Sequence, residues 1–235
     1  MVAQSPPRIE VETNVDVEAA HLLLEVFVHN GSGETIREVT IRPDVRQGDF
    51  VPEAAAKVIA DLASGRSARA AFLLRPGARI PAAVEIAATV GFLDARGSRR
   101  RLTAPRVSID LSLPPLRPTM IAPEAFGDRA SRAFLHRFEL AIDAPPRDAI
   151  GSAEAALAAL PLARVKEAVA PADSGARASL FGVDGRGTGY MVRIVAAPRA
   201  GGSIIRVTAF AESEPGLFAF HHRVREILGV ALGSR

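Results

Sequence analysis

The stretch Leu113-Pro114-Pro115-Leu116-Arg117-Pro118 separates two halves of the chain that have different sequence patterns. Short alternating segments separated by turns precede it, and a mixture of strand and helix patterns follows it. Its closely spaced prolines cannot continue a helix or the interior of a sheet, so a joint between domains is predicted here. With 235 residues the chain can form two domains, which we place at residues 8–114 and 116–235.

The first half is typical of a chain of short strands. Alternating or densely apolar segments recur along it, each bounded by residues that favour turns. About seven such segments in about 105 residues predict an immunoglobulin-like β-sandwich. The clearest segments are 9–11, 22–28, 36–41, 70–74, 84–92 and 107–113.

Three stretches of the first half connect or interrupt these strands. His29-Asn30-Gly31-Ser32-Gly33-Glu34 is rich in residues that tolerate positive φ, and it predicts a hairpin between its flanking strands. Residues 54–62 fit either a helical turn or a strand. The run Arg99-Arg100-Arg101 follows a Gly-Ser turn and fits a solvated hairpin tip or, alternatively, a contact patch for an acidic partner.

The second half predicts an α+β platform, an antiparallel sheet with flanking helices. Residues 130–142 alternate like a strand toward their end. Ser152 is a plausible N-cap for a short Ala-rich helix that Pro161 ends. Glu214 and Pro215 open a final helix with one apolar face. Between these helices, three strand segments separated by glycine-rich turns predict an antiparallel meander: 178–183, 190–196 and 204–210.

Composition excludes several functional classes. The chain has no cysteine and only five histidines, so we expect no metal site and no cofactor. The net charge is only +3, and lysine occurs only at positions 57 and 166. An arginine-rich, lysine-poor composition fits genomic base bias better than phosphate binding, so no nucleic-acid partner is expected. No segment is long enough to span a bilayer, and the first seven residues do not resemble a secretory signal; we therefore expect a cytoplasmic protein.

Two motifs suggest chemistry but fit simpler structures. Gly185-Arg186-Gly187-Thr188-Gly189 resembles a phosphate loop, yet it runs into a strand where such a loop needs a helix N-terminus, so a hairpin turn is predicted. His222 and Glu226 are four residues apart on the final helix, but a third ligand at suitable spacing is missing. His221 and His222 are interpreted as surface residues. The sequence contains no catalytic pattern, and the protein is not expected to be an enzyme.

The order of these elements resembles the bilobal appendage, or ear, of clathrin-adaptor beta chains and of the coatomer gamma chain. The segment Ala133-Phe134-Leu135-His136-Arg137-Phe138-Glu139-Leu140 is similar to the adaptor segment that leads to a ligand-binding aromatic residue. Residues 189–198 and 203–207 resemble the two central platform strands, and residues 220–228 resemble the closing helix. The composition is more typical of a prokaryotic protein, so the resemblance implies a freestanding relative of these coat-protein domains.

The resemblance also implies a function and a site. Appendage platforms bind short peptides from partner proteins in a pocket built around a tryptophan, and Phe138 stands at that position here. Phe138 is therefore the expected anchor of a partner-binding site, with Phe181, Tyr190 and Arg193 as its neighbours. The alternative for Phe138 is a core role. The alternatives for the protein are a structural module that packs on another subunit or on a copy of itself, or an unrecognised enzyme or ligand carrier.

Overall fold

The computed structural model describes residues 8–18, 20–46, 48–77, 80–166 and 176–233. The chain divides into two compact units, Met1–Leu111 and Ser112–Arg235. Antiparallel sheet dominates the described residues, which also include three helices in the second unit. The predicted strand-rich fold is confirmed at this level. No described helix has both the length and the apolar character needed to cross a membrane.

The first unit contains two antiparallel sheets. Its described strands are β1 (Ile9–Glu18), β2 (His21–Asn30), β3 (Ile36–Asp44), β4 (Phe50–Pro52), β5 (Lys57–Leu62), β6 (Ser67–Pro76), β7 (Ala83–Leu93), β8 (Arg99–Thr103) and β9 (Val107–Asp110). One sheet has the order β1-β2-β6-β4 and the other has the order β5-β3-β7-β8, with β9 also paired to β7. Whether this arrangement is immunoglobulin-like stays a prediction.

Alternation of apolar side chains places the core of the first unit. Leu22, Leu24, Val26 and Val28 of β2 are fully buried, while the residues between them are partly or fully exposed. A period of two is the spacing at which a strand presents one face to a core and the other to solvent. The ambiguous segment 54–62 forms β5, so its strand alternative is correct.

The connection after β2 differs from the prediction. The segment 29–34 does not close a hairpin, because β2 pairs with β1 and β6 whereas β3 pairs with β5 and β7. The chain crosses here from one sheet to the other. Glycine and asparagine permit tight bends in both kinds of connection, so local turn chemistry cannot distinguish a hairpin from a crossover.

The arginine run of the first unit also lies elsewhere than predicted. Arg99-Arg100-Arg101 does not form a hairpin tip but begins β8, at the edge of its sheet. The tip is the preceding turn, where Asp94 accepts backbone hydrogen bonds from Arg96 and Ser98. Because Asp94 closes a turn that ends at Ser98, the three arginines that follow belong to strand β8.

The second unit is one antiparallel sheet with three helices. Its described elements are β10 (Arg117–Pro118), α1 (Pro123–Arg132), β11 (Phe134–Ile142), α2 (Pro146–Leu157), β12 (Ala163–Arg164), β13 (Ala176–Val183), β14 (Gly189–Arg199), β15 (Gly202–Ala211) and α3 (Glu214–Ala231). The strand order is β10-β13-β14-β15-β11, and β12 also pairs with β13. The predicted meander β13-β14-β15 and the closing helix are confirmed.

Two helices of the second unit depart from the prediction. Helix α2 begins at Pro146, six residues before the proposed cap Ser152, because the fixed φ of proline suits the first turn of a helix. Its buried residues run from Ala149 to Leu157, which is about two turns. Helix α1 was not predicted; Phe126 and Ala130, four residues apart, are its buried residues.

Candidate functional site

The sheet of the second unit has two faces of different character. Helices α2 and α3 pack on one of them, which we call the helix-covered face. On this face Val192, Ile194 and Val207 are fully buried. Because side chains alternate along a strand, the residues between them lie on the opposite face.

The four residues predicted as one binding site lie on both faces. Phe138 is paired with Val207, which is paired with Ile194, so Phe138 lies on the helix-covered face. Tyr190 shares that face. Phe181 is paired with Met191 on the opposite face, which also contains Arg193. The structure therefore does not bring the four side chains together.

Phe138 and Tyr190 pack among residues of the helix-covered core. The half-buried ring of Phe138 lies edge-on to His221, with their centres 5.4 Å apart. Tyr190 is buried and lies edge-on to Phe220, also at 5.4 Å. Burial, and to a lesser degree the charge of Asp184, raises the pKa of the Tyr190 hydroxyl. Whether Phe138 binds a partner stays a prediction.

Helix α1 covers one end of the opposite face. Phe126 and Ala130 pack there against Phe181, Met191 and Phe210. Phe181 is buried, and the Arg129 guanidinium lies 5.3 Å from the centre of its ring. Phe181 is thus a core residue beneath α1.

Arg193 lies at the border of the area of the sheet that α1 covers. Its guanidinium carbon is 5.3 Å from the centre of the Phe126 ring and 5.8 Å from that of Phe210. A guanidinium over aromatic rings is attracted by their negative faces and has fewer accessible rotamers. Arg193 is half-buried, so part of its side chain is held against the helix and part can meet a ligand.

Beyond Arg193 the sheet is exposed, and this area is the candidate site. Strand pairing places four arginines, one glutamate and two exposed aliphatic residues on the same side of the sheet. We call this surface the arginine face; it comprises Arg137, Arg177, Arg193, Arg206, Glu139, Thr208, Val195 and Ile204. Val195 and Ile204 are each 38% exposed, which is unusual for aliphatic residues in the middle of a sheet.

Contacts within the arginine face leave it positively charged. Arg206 pairs with Glu139 at 2.8 Å, and Nε of Arg137 donates to Oγ1 of Thr208 at 3.3 Å. Glu139 compensates the charge of Arg206, whereas no ion pair joins Arg137 or Arg193 to a carboxylate in the described part of the chain. The face therefore combines fixed positive charge with apolar side chains, and both can contact an extended acidic segment.

The arginine face was missed in the sequence, although one signal was present. Arg193 alternates with the apolar residues Val192 and Ile194, so a period of two separates it from the core side of its strand. Tyr190 and Arg193 are three residues apart on one strand and cannot share a face. Which arginines of neighbouring strands join Arg193 depends on the register.

A group of histidines lies at the edge of the helix-covered face. Nδ1 of His136 and Nε2 of His221 are 2.9 Å apart, and the rings of His221 and His222 are 4.8 Å apart. His221 is 1% exposed, so its interpretation as a surface residue is wrong. Helix α3 turns it toward β11. No group of three or more possible ligand residues in the described ranges is arranged to hold a metal ion.

Burial controls the protonation of His221. Desolvation, followed by the charges of His136, His222 and Arg225, lowers its pKa from 6.5 to about 2. In the unfolded chain the imidazole takes up a proton near pH 6.5, whereas in the folded chain it stays neutral until far lower pH. The neutral His221 therefore makes the fold lose stability as pH falls below 6.5.

The stability of the protein is expected to fall more steeply with acid in the wild type than in His221→Gln. One proton taken up only on unfolding corresponds to about 1.4 kcal/mol per pH unit once the pH is well below 6.5. Urea denaturation between pH 7 and pH 4.5 measures the difference in slope, in which contributions from carboxylates common to both proteins cancel. His29→Gln, in the first unit, controls for loss of a histidine elsewhere. Parallel slopes for wild type and His221→Gln would contradict the assignment.

Comparison with known proteins adds no relative. No protein-family model matches the chain, and no curated protein shows significant similarity to it. The appendage resemblance therefore stays a hypothesis.

Proposed function

We propose that this protein is a non-enzymatic interaction module and that the arginine face of its second unit binds an acidic peptide segment of a partner protein. In this proposal the first unit is an immunoglobulin-like sandwich and the second is an appendage-like platform. The observation that supports it best is the exposed half of the sheet, where the exposed Val195 is paired with Arg177 and Arg206 and follows Arg193 by two residues.

The arrangement of the face favours an extended ligand. Side chains on one side of a strand repeat every 6 to 7 Å or so, and an extended peptide presents its own alternate side chains at the same interval. A segment with alternating acidic and apolar residues can place carboxylates on Arg137 and Arg206 while its apolar residues contact Val195. Arginine is suited to this role because it binds carboxylates through two parallel hydrogen bonds.

The proposed site is not the one predicted around Phe138. Phe138 packs beside His221 on the helix-covered face, where its ring is half-buried. The arginine face lies on the opposite side of the sheet, and Arg137 and Arg206 are exposed there. The proposal therefore keeps the predicted class of function, with Arg193 in the site and with Phe181 as its buried support.

Selection of a displayed peptide library on the full-length protein is expected to enrich sequences in which Asp or Glu alternates with apolar residues. Arg137→Glu combined with Arg206→Glu should weaken the selected peptides by about tenfold or more, because each substitution replaces attraction with repulsion. Fluorescence anisotropy measures the affinity. Both side chains are exposed, so the melting temperature should stay close to that of the wild type.

Two further variants decide where the ligand binds. Arg147→Glu changes the charge of an exposed residue on α2 and should leave the affinity unchanged apart from a small long-range effect. Phe138→Ser tests the partner-binding site that the sequence predicts around this residue. If Phe138→Ser abolishes binding in a stably folded protein while the double arginine variant binds normally, the arginine face is not the site.

A further inference from the structure

The first unit has a basic groove on the outer side of the sheet β5-β3-β7-β8. The groove has a volume of about 510 Å³, and its lining includes Thr40, Arg42, Gly91, Arg99 and Arg101. Thr40 is paired with Gly91, which is paired with Arg101, so small residues form the floor between arginines on either side. We call this surface the basic groove.

The arginines of the basic groove are largely uncompensated. Among the described residues, Arg42 and Arg99 have no carboxylate within ion-pair distance, and Arg101 contacts only the hydroxyl of Thr89, at 3.4 Å. The carboxylate in the lining is Glu38, which lies beside a register shift of β3 with a φ of 50°. The groove thus presents unpaired guanidinium groups to solvent.

Strand β8 supplies two of these arginines and lies at an edge. It is the last strand in the order β5-β3-β7-β8, and its exposed residues include Arg99 and Arg101. Charged side chains on an edge strand prevent indiscriminate pairing, but they accept a strand of opposite charge. The groove can therefore bind an extended acidic segment selectively.

The same unit carries an acidic strand at the edge of its other sheet. Strand β1 is the end strand in the order β1-β2-β6-β4. Its exposed positions alternate with half-buried ones and include Glu10, Glu12, Asp16 and Glu18. No ion pair joins these four carboxylates to a basic residue in the described part of the chain; Asp16 accepts a hydrogen bond from Asn14 at 2.9 Å.

The two edge strands match in charge and in spacing. Glu10 and Glu12 are two residues apart on β1, as Arg99 and Arg101 are on β8. Alternate residues of a strand are about 6.8 Å apart, so both pairs of opposite charges can meet at once. A carboxylate opposite a guanidinium stabilises a strand contact, whereas like charges would oppose it.

We propose that β1 of one copy binds along the basic groove of a second copy. The contact is heterologous, because it joins two different surfaces of the same chain and leaves one of each free at the ends. The protein then forms head-to-tail oligomers that grow with concentration. This self-association uses the first unit and does not depend on peptide binding by the arginine face.

Sedimentation velocity of the full-length protein tests the proposal. The average mass should rise with concentration in about 0.02 M NaCl and return to that of a monomer in about 0.5 M NaCl, as the Debye length falls from roughly 20 Å to roughly 4 Å. Arg99→Glu with Arg101→Glu should be monomeric in low salt, and so should Glu10→Arg with Glu12→Arg. Arg46→Glu with Arg66→Glu changes the net charge equally outside the groove and should still associate.

A variant that combines the reversed charges distinguishes this contact from a general effect of net charge. The chain carrying all four reversals at positions 10, 12, 99 and 101 should associate again, because its strands are complementary with the signs exchanged. An equal mixture of the two monomeric double variants should associate as well. A wild-type protein that stays monomeric in low salt would overturn the proposal, even if a polyglutamate peptide binds the groove, and so would a fourfold variant that stays monomeric while folded.

Discussion

Val224→Asp is expected to unfold the second unit. Val224 is fully buried, with 0% of its surface exposed to solvent. Helix α3, on which it lies, packs on β15, β11 and α2. An aspartate at this position places a carboxylate in an apolar interface without a partner. Such a change destabilises a protein by about 4 kcal/mol or more, which is comparable to the whole stability of a small domain.

The single tyrosine provides a specific measurement of this effect. The chain has one tyrosine and no tryptophan, and Tyr190 is buried in the core that α3 covers. The near-ultraviolet circular dichroism of Tyr190 therefore reports the packing of the second unit. Val230→Asp is the matched control, because Val230 lies on the same helix and is 82% exposed. If Val224→Asp melts like the wild type and retains the tyrosine signal, α3 does not pack as the structure shows.

Asn30→Asp is expected to have the second largest effect, in the first unit. Asn30 is fully buried at the end of β2, where the chain crosses between sheets. Its Nδ2 donates to the carbonyl oxygens of Glu34 and Leu62, each at 2.8 Å, and its Oδ1 accepts from the backbone N–H of Ser32 at 3.1 Å. The side chain thus joins the crossover after β2 to the end of β5.

Aspartate keeps the acceptor of Asn30 but removes both donors. It would leave two carbonyl oxygens without their partner and bring a negative charge toward them, at a cost of about 3 to 5 kcal/mol. Urea denaturation followed by far-ultraviolet circular dichroism measures the loss, and hydrogen exchange locates it in the first unit. Asn14→Asp, at an exposed position of β1, is the control. Equal stability of Asn30→Asp and Asn14→Asp would show that the network of Asn30 does not hold the crossover.

Patterns that depend on near neighbours were sufficient for much of the fold. The meander β13-β14-β15 was predicted because its strands alternate and its connections are rich in glycine. Helix α3 was predicted because its apolar residues recur at helical spacing. Helix α1 was missed because Phe126 and Ala130 are too few to establish a period in ten residues.

The candidate site could be predicted only in part. The sequence predicted that Arg193 lies in a strand. Because Arg193 alternates there with the apolar residues Val192 and Ile194, it was separated from the core side of that strand. It could not show that Arg137 and Arg206 lie beside it, since this depends on the pairing of β11 with β15 and of β15 with β14. A shift of one residue in the pairing of β15 with β14 would place Arg206 on the helix-covered face, and such a shift in the pairing of β11 with β15 would place Arg137 there.

Local chemistry thus established which segments are strands and helices and which side of each strand is apolar, because backbone sterics and the alternation of side chains act over a few residues. Which other strands each strand pairs with is decided by long-range contacts. The segment after β2 could close a hairpin or cross between sheets, and Phe138 and Phe181 could share a face or lie on opposite ones. Pairing between distant strands and burial beneath the helices select one arrangement, since both depend on the packing of the whole unit.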